Sequence, residues 1–269
     1  MPQTQPTEHP LRAEIIAEVH ARPVDIVSAP ARIRRLVLLM PERAGAVDDA
    51  LEAFRRFCRA HGYEPPMPGS RQHGFSTAAR RATWEFHNEF VTVTWQAPAD
   101  DRENWPDGIG LDILGEARLI GATRIDLVED SAVPDRLLPG FRLSSLCVVG
   151  VDAGAGEIAT DFVTDEAGFT RFEFAAGGMS PLRASIMLRR LMEIDTYRVM
   201  ALLGLPLARE LSPDVREAEH ALTALIERLS EATTTDAVQA ALAALHALSV
   251  RSGQLGERLT YRFAASKAY

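Results

Sequence analysis

The chain has 269 residues, of which 46% are hydrophobic and 25% charged, with a net charge of −8. That is too apolar for a disordered chain and long enough to bury a sizeable core in one or two domains. The negative charge is concentrated in residues 98–179, which hold 6 Arg against 16 Asp and Glu; such a surface repels phosphate backbones, so nucleic acid is not expected as a partner.

Along the chain, Leu11, Ile15, Ile16 and Val19 recur at helical spacing after Pro10, and Pro23 closes that element. The apolar run Ile33–Met40 predicts a buried strand. Residues 44–62 form an amphipathic helix pattern, with Val47, Leu51, Phe54 and Phe57 on one stripe and Gly62 as its stop. Residues 64–74 are rich in Pro and Gly and predict a loop. The aromatic, β-branched stretch 82–97 predicts strand, with a hairpin turn near His87-Asn88 as an alternative to one continuous element. After an acidic loop at 98–106, the pattern predicts a helix over 109–120 capped by Gly121, then strands at 123–128, 143–151, 157–163 and 169–175.

Ser180-Pro181 is a helix start signal, and a helix runs from it to Leu203. Ser212-Pro213 repeats the signal for a second helix to about Ser230. A third begins near Ala237 and is still periodic at Phe263, with no stop signal before Tyr269. Strands before residue 176 and helices after 180 indicate an α+β fold: a mixed β-sheet with packed helices, followed by a C-terminal antiparallel long-helix region of coiled-coil character. The expected domains are 1–178 and 179–269, the second cut within its last helix.

Cys58 and Cys147 are far apart and outside any CxxC; both fall in apolar surroundings and are expected as free core thiols in a reducing compartment. There is no signal-peptide pattern, and the longest near-apolar run, 199–208, is too short to span a bilayer. The expected location is cytoplasmic.

Two stretches could carry chemistry. In Trp84-Glu85-Phe86-His87-Asn88-Glu89-Phe90, one continuous strand would put Glu85, His87 and Glu89 on one face, where two carboxylates and an imidazole could hold a divalent metal or transfer a proton. A turn at His87-Asn88 would dissolve that face, and an amphipathic strand with its polar side in water fits the same residues. No metal is assigned, and no cofactor is indicated. The second stretch pairs His9-Pro10-Leu11-Arg12 with His20-Ala21-Arg22-Pro23 around a helix carrying Glu14 and Glu18. Imidazole and guanidinium groups there could bind an anion or tie the helix end to the sheet. Arg32, Arg34 and Arg35 are expected on a solvated strand edge, where charge discourages pairing. Arg189, Arg190, Glu193 and Arg198 are expected on an exposed helix face.

These two stretches, together with residues 190–198 and 201–209, resemble bacterial proteins grouped as domain-of-unknown-function family 3422, over essentially the whole chain. The resemblance implies a longer parent with further helix and one or two membrane-spanning segments, so that this part would lie on the cytoplasmic face of the inner membrane. It brings no catalytic residue, only the motif positions His9, Arg12, His20, Arg22, Pro23, Trp84, Glu85, His87 and Glu89. Three functions stand open at this point. The first is a non-catalytic sensing or interaction domain, homo-oligomeric through its C-terminal helices. The second is a metal-dependent enzyme using Glu85, His87 and Glu89. The third is a small-anion or nucleotide binding module using Arg12, Arg22 and Arg32.

Overall fold

The computed structural model describes residues 8–12, 15–16 and 24–269. The helix expected at the N-terminus falls mostly outside them. Eight strands form one sheet: β1 (Ala31–Leu39), β2 (Gln72–Ser76), β3 (Arg81–Phe86), β4 (Phe90–Pro98), β5 (Arg118–Val128), β6 (Cys147–Val151), β7 (Gly156–Thr160) and β8 (Thr170–Ala175). Their order across the sheet is β2-β3-β4-β1-β5-β8-β7-β6. Every pairing is antiparallel except β5 with β8, which makes the sheet mixed.

Helix α1 (Ala46–Ala60) covers one end of one face. It buries Val47, Ala50, Leu51, Phe54, Phe57 and Cys58, an i, i+3, i+4 series, and its first turn carries Asp48 and Asp49 where the helix dipole favours anions. Gly62, at φ 76°, adopts the left-handed turn that stops it. Phe54 stacks on Trp84 at 4.6 Å between ring centroids and also meets Phe75 and Phe86. Trp84 Nε1 donates to the carbonyl of Ile109 at 3.0 Å, so this aromatic cluster leaves that indole satisfied.

Helix α2 (Pro181–Leu202) begins at the predicted Ser180-Pro181 signal, with the amide of Arg183 donating to Ser180 Oγ. Ala184, Leu188, Leu191 and Met192 pack on Ile33, Ile125, Leu127, Phe172 and Phe174 of the opposite sheet face. Gly177 and Gly178 precede it for a steric reason. A Cβ on Gly177 would lie 2.1 Å from the Glu129 carbonyl oxygen, and one on Gly178 would lie 2.5 Å from that of Ala155.

The chain divides into two compact units, residues 1–195 and 196–269. Within the second, α3 (Gly204–Glu231) and α4 (Thr235–Ala268) form a hairpin. Arg258 reaches Glu210 at 2.7 Å and Arg251 reaches Glu217 at 2.7 Å, a register that makes the helices antiparallel. Thr234 caps α4, its hydroxyl accepting from the amide of Ala237. Among the described residues, no helix is long and apolar enough to cross a membrane.

Several expectations need correction. Residues 109–120 are not a helix. A single 3₁₀ turn, Leu111–Leu114, sits between Gly110 (φ 85°) and Gly115, and from Arg118 the chain is strand β5. The apolar residues of the turn and of the start of the strand together mimic helical spacing over a short window. β2 was hidden behind the Pro/Gly-rich segment; it is an edge strand with only Phe75 buried. α3 starts at Gly204 and passes through Pro213, which removes one main-chain hydrogen bond without ending the helix. Cys147 is exposed, because β6 is the far edge strand; Cys58 is buried, and that burial pushes its thiol upward. Both are free. The most consequential correction concerns Arg32, Arg34 and Arg35. β1 is an interior strand, and all three are buried.

Candidate functional site

The cleft lies between α2 and the polar side of β1, β3 and β4. Side chains alternate along a strand. Val91, Val93 and Trp95 therefore face α1, while Thr92, Thr94 and Gln96 face α2. On β3 the same alternation sends Trp84 toward α1 and Thr83 and Glu85 toward α2. On β1 it sends Arg35 there as well. The registers Arg35↔Thr94 and Glu85↔Thr92 bring these groups together.

Arg35 Nη2 donates to Glu85 Oε2 at 2.6 Å, and Arg35 Nε donates to Thr94 Oγ1 at 2.8 Å. The Thr92 hydroxyl donates to the same Glu85 oxygen at 3.0 Å. Arg35 and Glu85 are 7% and 9% exposed in their side chains, so this is a buried ion pair with hydrogen-bonding neighbours. Arg35 Nη1 takes part in neither bond.

The rim is built by residues 24–27. Asp25 accepts from Arg81 at 2.7 and 2.9 Å and from the Thr83 hydroxyl at 2.6 Å. The Val27 amide donates to Ser185 Oγ of α2 at 2.8 Å. Ile33, Gln72, Leu188, Arg189 and Met192 complete the lining, and the cleft holds about 50 Å³. At about 10–15 Å³ for each water-sized position, it admits a head group of a few heavy atoms and no large substrate.

The structure scatters the motif residues. Glu85 is in the cleft. Trp84 is buried in the aromatic cluster on the other face. β3 ends at Phe86 and β4 begins at Phe90, so His87 and Glu89 lie in the connecting turn. The His87 ring stacks on Phe90 at 4.0 Å, and the Glu89 carbonyl accepts the amide of Met40. The hairpin form of this segment is therefore the one adopted, and the three side chains do not share a strand face. Among the described residues, no group of three or more His, Cys, Asp or Glu could hold a metal ion. His9 and Arg12 are exposed; His9 Nδ1 accepts the Leu11 amide, and Arg12 pairs with Glu8 at 3.2 Å. His20, Arg22 and Pro23 lie outside the described residues. Arg32 is buried on the sheet face opposite the cleft, beside Asp126.

Polar cleft residues absent from the motifs include Arg35, Thr94, Gln96, Asp25 and Arg189, with Thr92 behind Glu85. Their signal was the alternation of Thr92, Thr94 and Gln96 with Val91, Val93 and Trp95. Polar alternation ordinarily marks a solvent face, and α2 turns it into a lining.

The chain belongs to the family described as protein of unknown function (DUF3422), which it matches over residues 7–269. No curated protein and no solved structure matches it.

Proposed function

We propose that this chain is a non-catalytic sensing or interaction domain that reads a small anionic head group in the cleft between α2 and the sheet. The observation that supports this reading most is the Arg35 guanidinium: buried, oriented by Glu85 and Thr94, and with Nη1 unused by either bond. An arginine fixed in this way is suited to a carboxylate or phosphate oxygen. The carboxylates nearby are each held by an arginine and a hydroxyl, Glu85 by Arg35 and Thr92, Asp25 by Arg81 and Thr83. Carboxylates held by two donors each are fixed in orientation, which suits recognition. The cleft involves Arg35 rather than the Arg12, Arg22 and Arg32 set expected for an anion module.

In the intact bacterial protein the domain would sit on the cytoplasmic face of the inner membrane, tethered through a segment beyond this chain. It would self-associate through α3 and α4. Leu222, Ile226, Leu242 and Leu245 are 41–60% exposed on that hairpin, and a second hairpin related by a two-fold axis offers the same apolar groove in return.

Calorimetry against a panel of small carboxylates, amino acids and inorganic phosphate tests the cleft. Saturable heat with at least one member, reduced at least tenfold in affinity by Gln96→Met, is the expected result. No heat from the whole panel would overturn the anion reading. Light scattering that finds a strict monomer at high concentration would remove the self-association.

A further inference from the structure

On the other face of the same sheet, a second charged array is buried. The registers Arg34↔Arg124 and Arg124↔Arg171 place three arginines side by side on β1, β5 and β8. The next row on that face holds Arg32, Asp126 and Glu173. Three of the four guanidinium groups have carboxylates. Arg32 pairs with Asp126; Arg124 lies 3.1 Å from Asp165 and 3.5 Å from Asp126; Arg171 lies 2.6 Å from Glu173.

Arg34 has none among the described residues. It is 1% exposed, and its one hydrogen bond runs from Nη2 to the carbonyl of Asp101 at 3.0 Å. Its Nε and Nη1 are buried without an acceptor. The carboxylate of Asp101 is already taken by Arg80 at 2.8 Å and by the Glu103 amide. Trp95, the cross-strand neighbour of Arg34 on β4, is fully buried with its Nε1–H also unpartnered. Buried donors thus collect at Arg34 and Trp95 with no acceptor between them. Burial, together with the charges of Arg32 and Arg124, draws the Arg34 pKa down to about 10 against the opposing pull of the Asp101 and Asp126 carboxylates, which leaves it a cation at neutral pH. Leaving buried donors of a charged group without an acceptor is expensive, and satisfied buried donors are the rule.

We propose that a small monovalent inorganic anion, of halide size, binds against the Arg34 guanidinium beneath the loop of residues 99–104, with the Trp95 indole N–H as a neighbouring donor. This site is separate from the α2 cleft and does not depend on it. The anion supplies the acceptor that both donors lack. It is a built-in counter-ion for the sheet, and it couples the hold of Asp101 on this loop to anion concentration.

Bromide is the probe, because its anomalous scattering identifies it. Crystals of the wild-type chain grown with bromide are expected to show an anomalous peak in contact with Arg34. In solution at constant ionic strength, replacing a bulky organic anion by bromide is expected to raise the wild-type Tm by about 3–5 °C per tenfold increase above the dissociation constant. Arg34→Met should lose that dependence, and Trp95→Phe should weaken it. A water in place of bromide at Arg34, or a Tm slope that persists in Arg34→Met, would overturn the proposal. Should Arg34→Met fail to fold, the wild-type anomalous map decides alone.

Discussion

Arg34 and Arg35 are consecutive on β1, both buried, and they face opposite sides of one sheet. Arg35 meets the Glu85 carboxylate and the Thr94 hydroxyl under α2, and Thr92 donates to the same carboxylate. Arg34 meets one backbone carbonyl under a loop, with further arginines beside it. The same residue type, at the same depth, is a member of a closed network on one face and an open one on the other. Burial by itself therefore says little about what an arginine does; its acceptors decide. The Arg35–Glu85 pair is neutralised and held rigid, with one spare donor to present to a ligand, whereas Arg34 keeps two buried donors with no acceptor and no paired carboxylate among the described residues.

The largest effect should come from breaking the closed network on one side only. Arg35→Met leaves Glu85 as a buried carboxylate without its cation, and Glu85→Leu leaves Arg35 without its anion. Each should cost about 3–5 kcal/mol by denaturant unfolding. The double variant Arg35→Met/Glu85→Leu should recover most of that loss, since an apolar pair of similar volume is often as stable as the ions it replaces. If the double variant is as unstable as the sum of the singles, the pair is not one unit.

Arg34→Met should act with the opposite sign. Without halide it removes a buried charge that has no carboxylate, and stability should rise by about 1–2 kcal/mol. A loss comparable with that of Arg35→Met would show that the two faces are equally closed and would erase the contrast.

The sheet strands flanked by β-branched runs, the α1 stripe and the Ser180-Pro181 helix start were all legible from local pattern. Arg32, Arg34 and Arg35 were not. Charged residues near a strand start resemble an edge, and only the pairing of β1 with both β4 and β5 shows the strand to be interior. That pairing joins segments about 60 and 90 residues away, which no local period records. Glu85 was legible as a candidate, but in the company of His87 and Glu89. Its partner Arg35 lies on a different strand, and its cover, α2, comes 100 residues later. Residues 109–120 failed for the converse reason: a glycine-bracketed turn and a strand together imitated a helix.

A smaller change tests the closed network without opening it. Thr92→Val keeps the shape of the side chain and removes only the hydroxyl that donates to Glu85. It should cost about 1 kcal/mol, well below the Arg35 and Glu85 singles, because Arg35 still neutralises the carboxylate. A loss as large as that of Arg35→Met would mean that the threonine, and not the ion pair, holds Glu85 in place.

The smallest effect is expected at Glu173, and it should be visible only as a slope. Burial pushes its carboxyl above the ordinary value and neighbouring Asp126 adds to this, while Arg171 pulls it back. The native state therefore holds this proton more tightly than the unfolded chain does. Its contribution is most favourable below the unfolded carboxylate pKa and is lost as pH rises through the higher native one. Glu173→Gln cannot ionise, and its amide oxygen can still accept from Arg171. The variant should thus lose stability less steeply than wild type as pH rises through the acidic range, with the two curves closest at the acid end. Parallel curves across that range would show that Glu173 titrates normally, with its charge already balanced by Arg171.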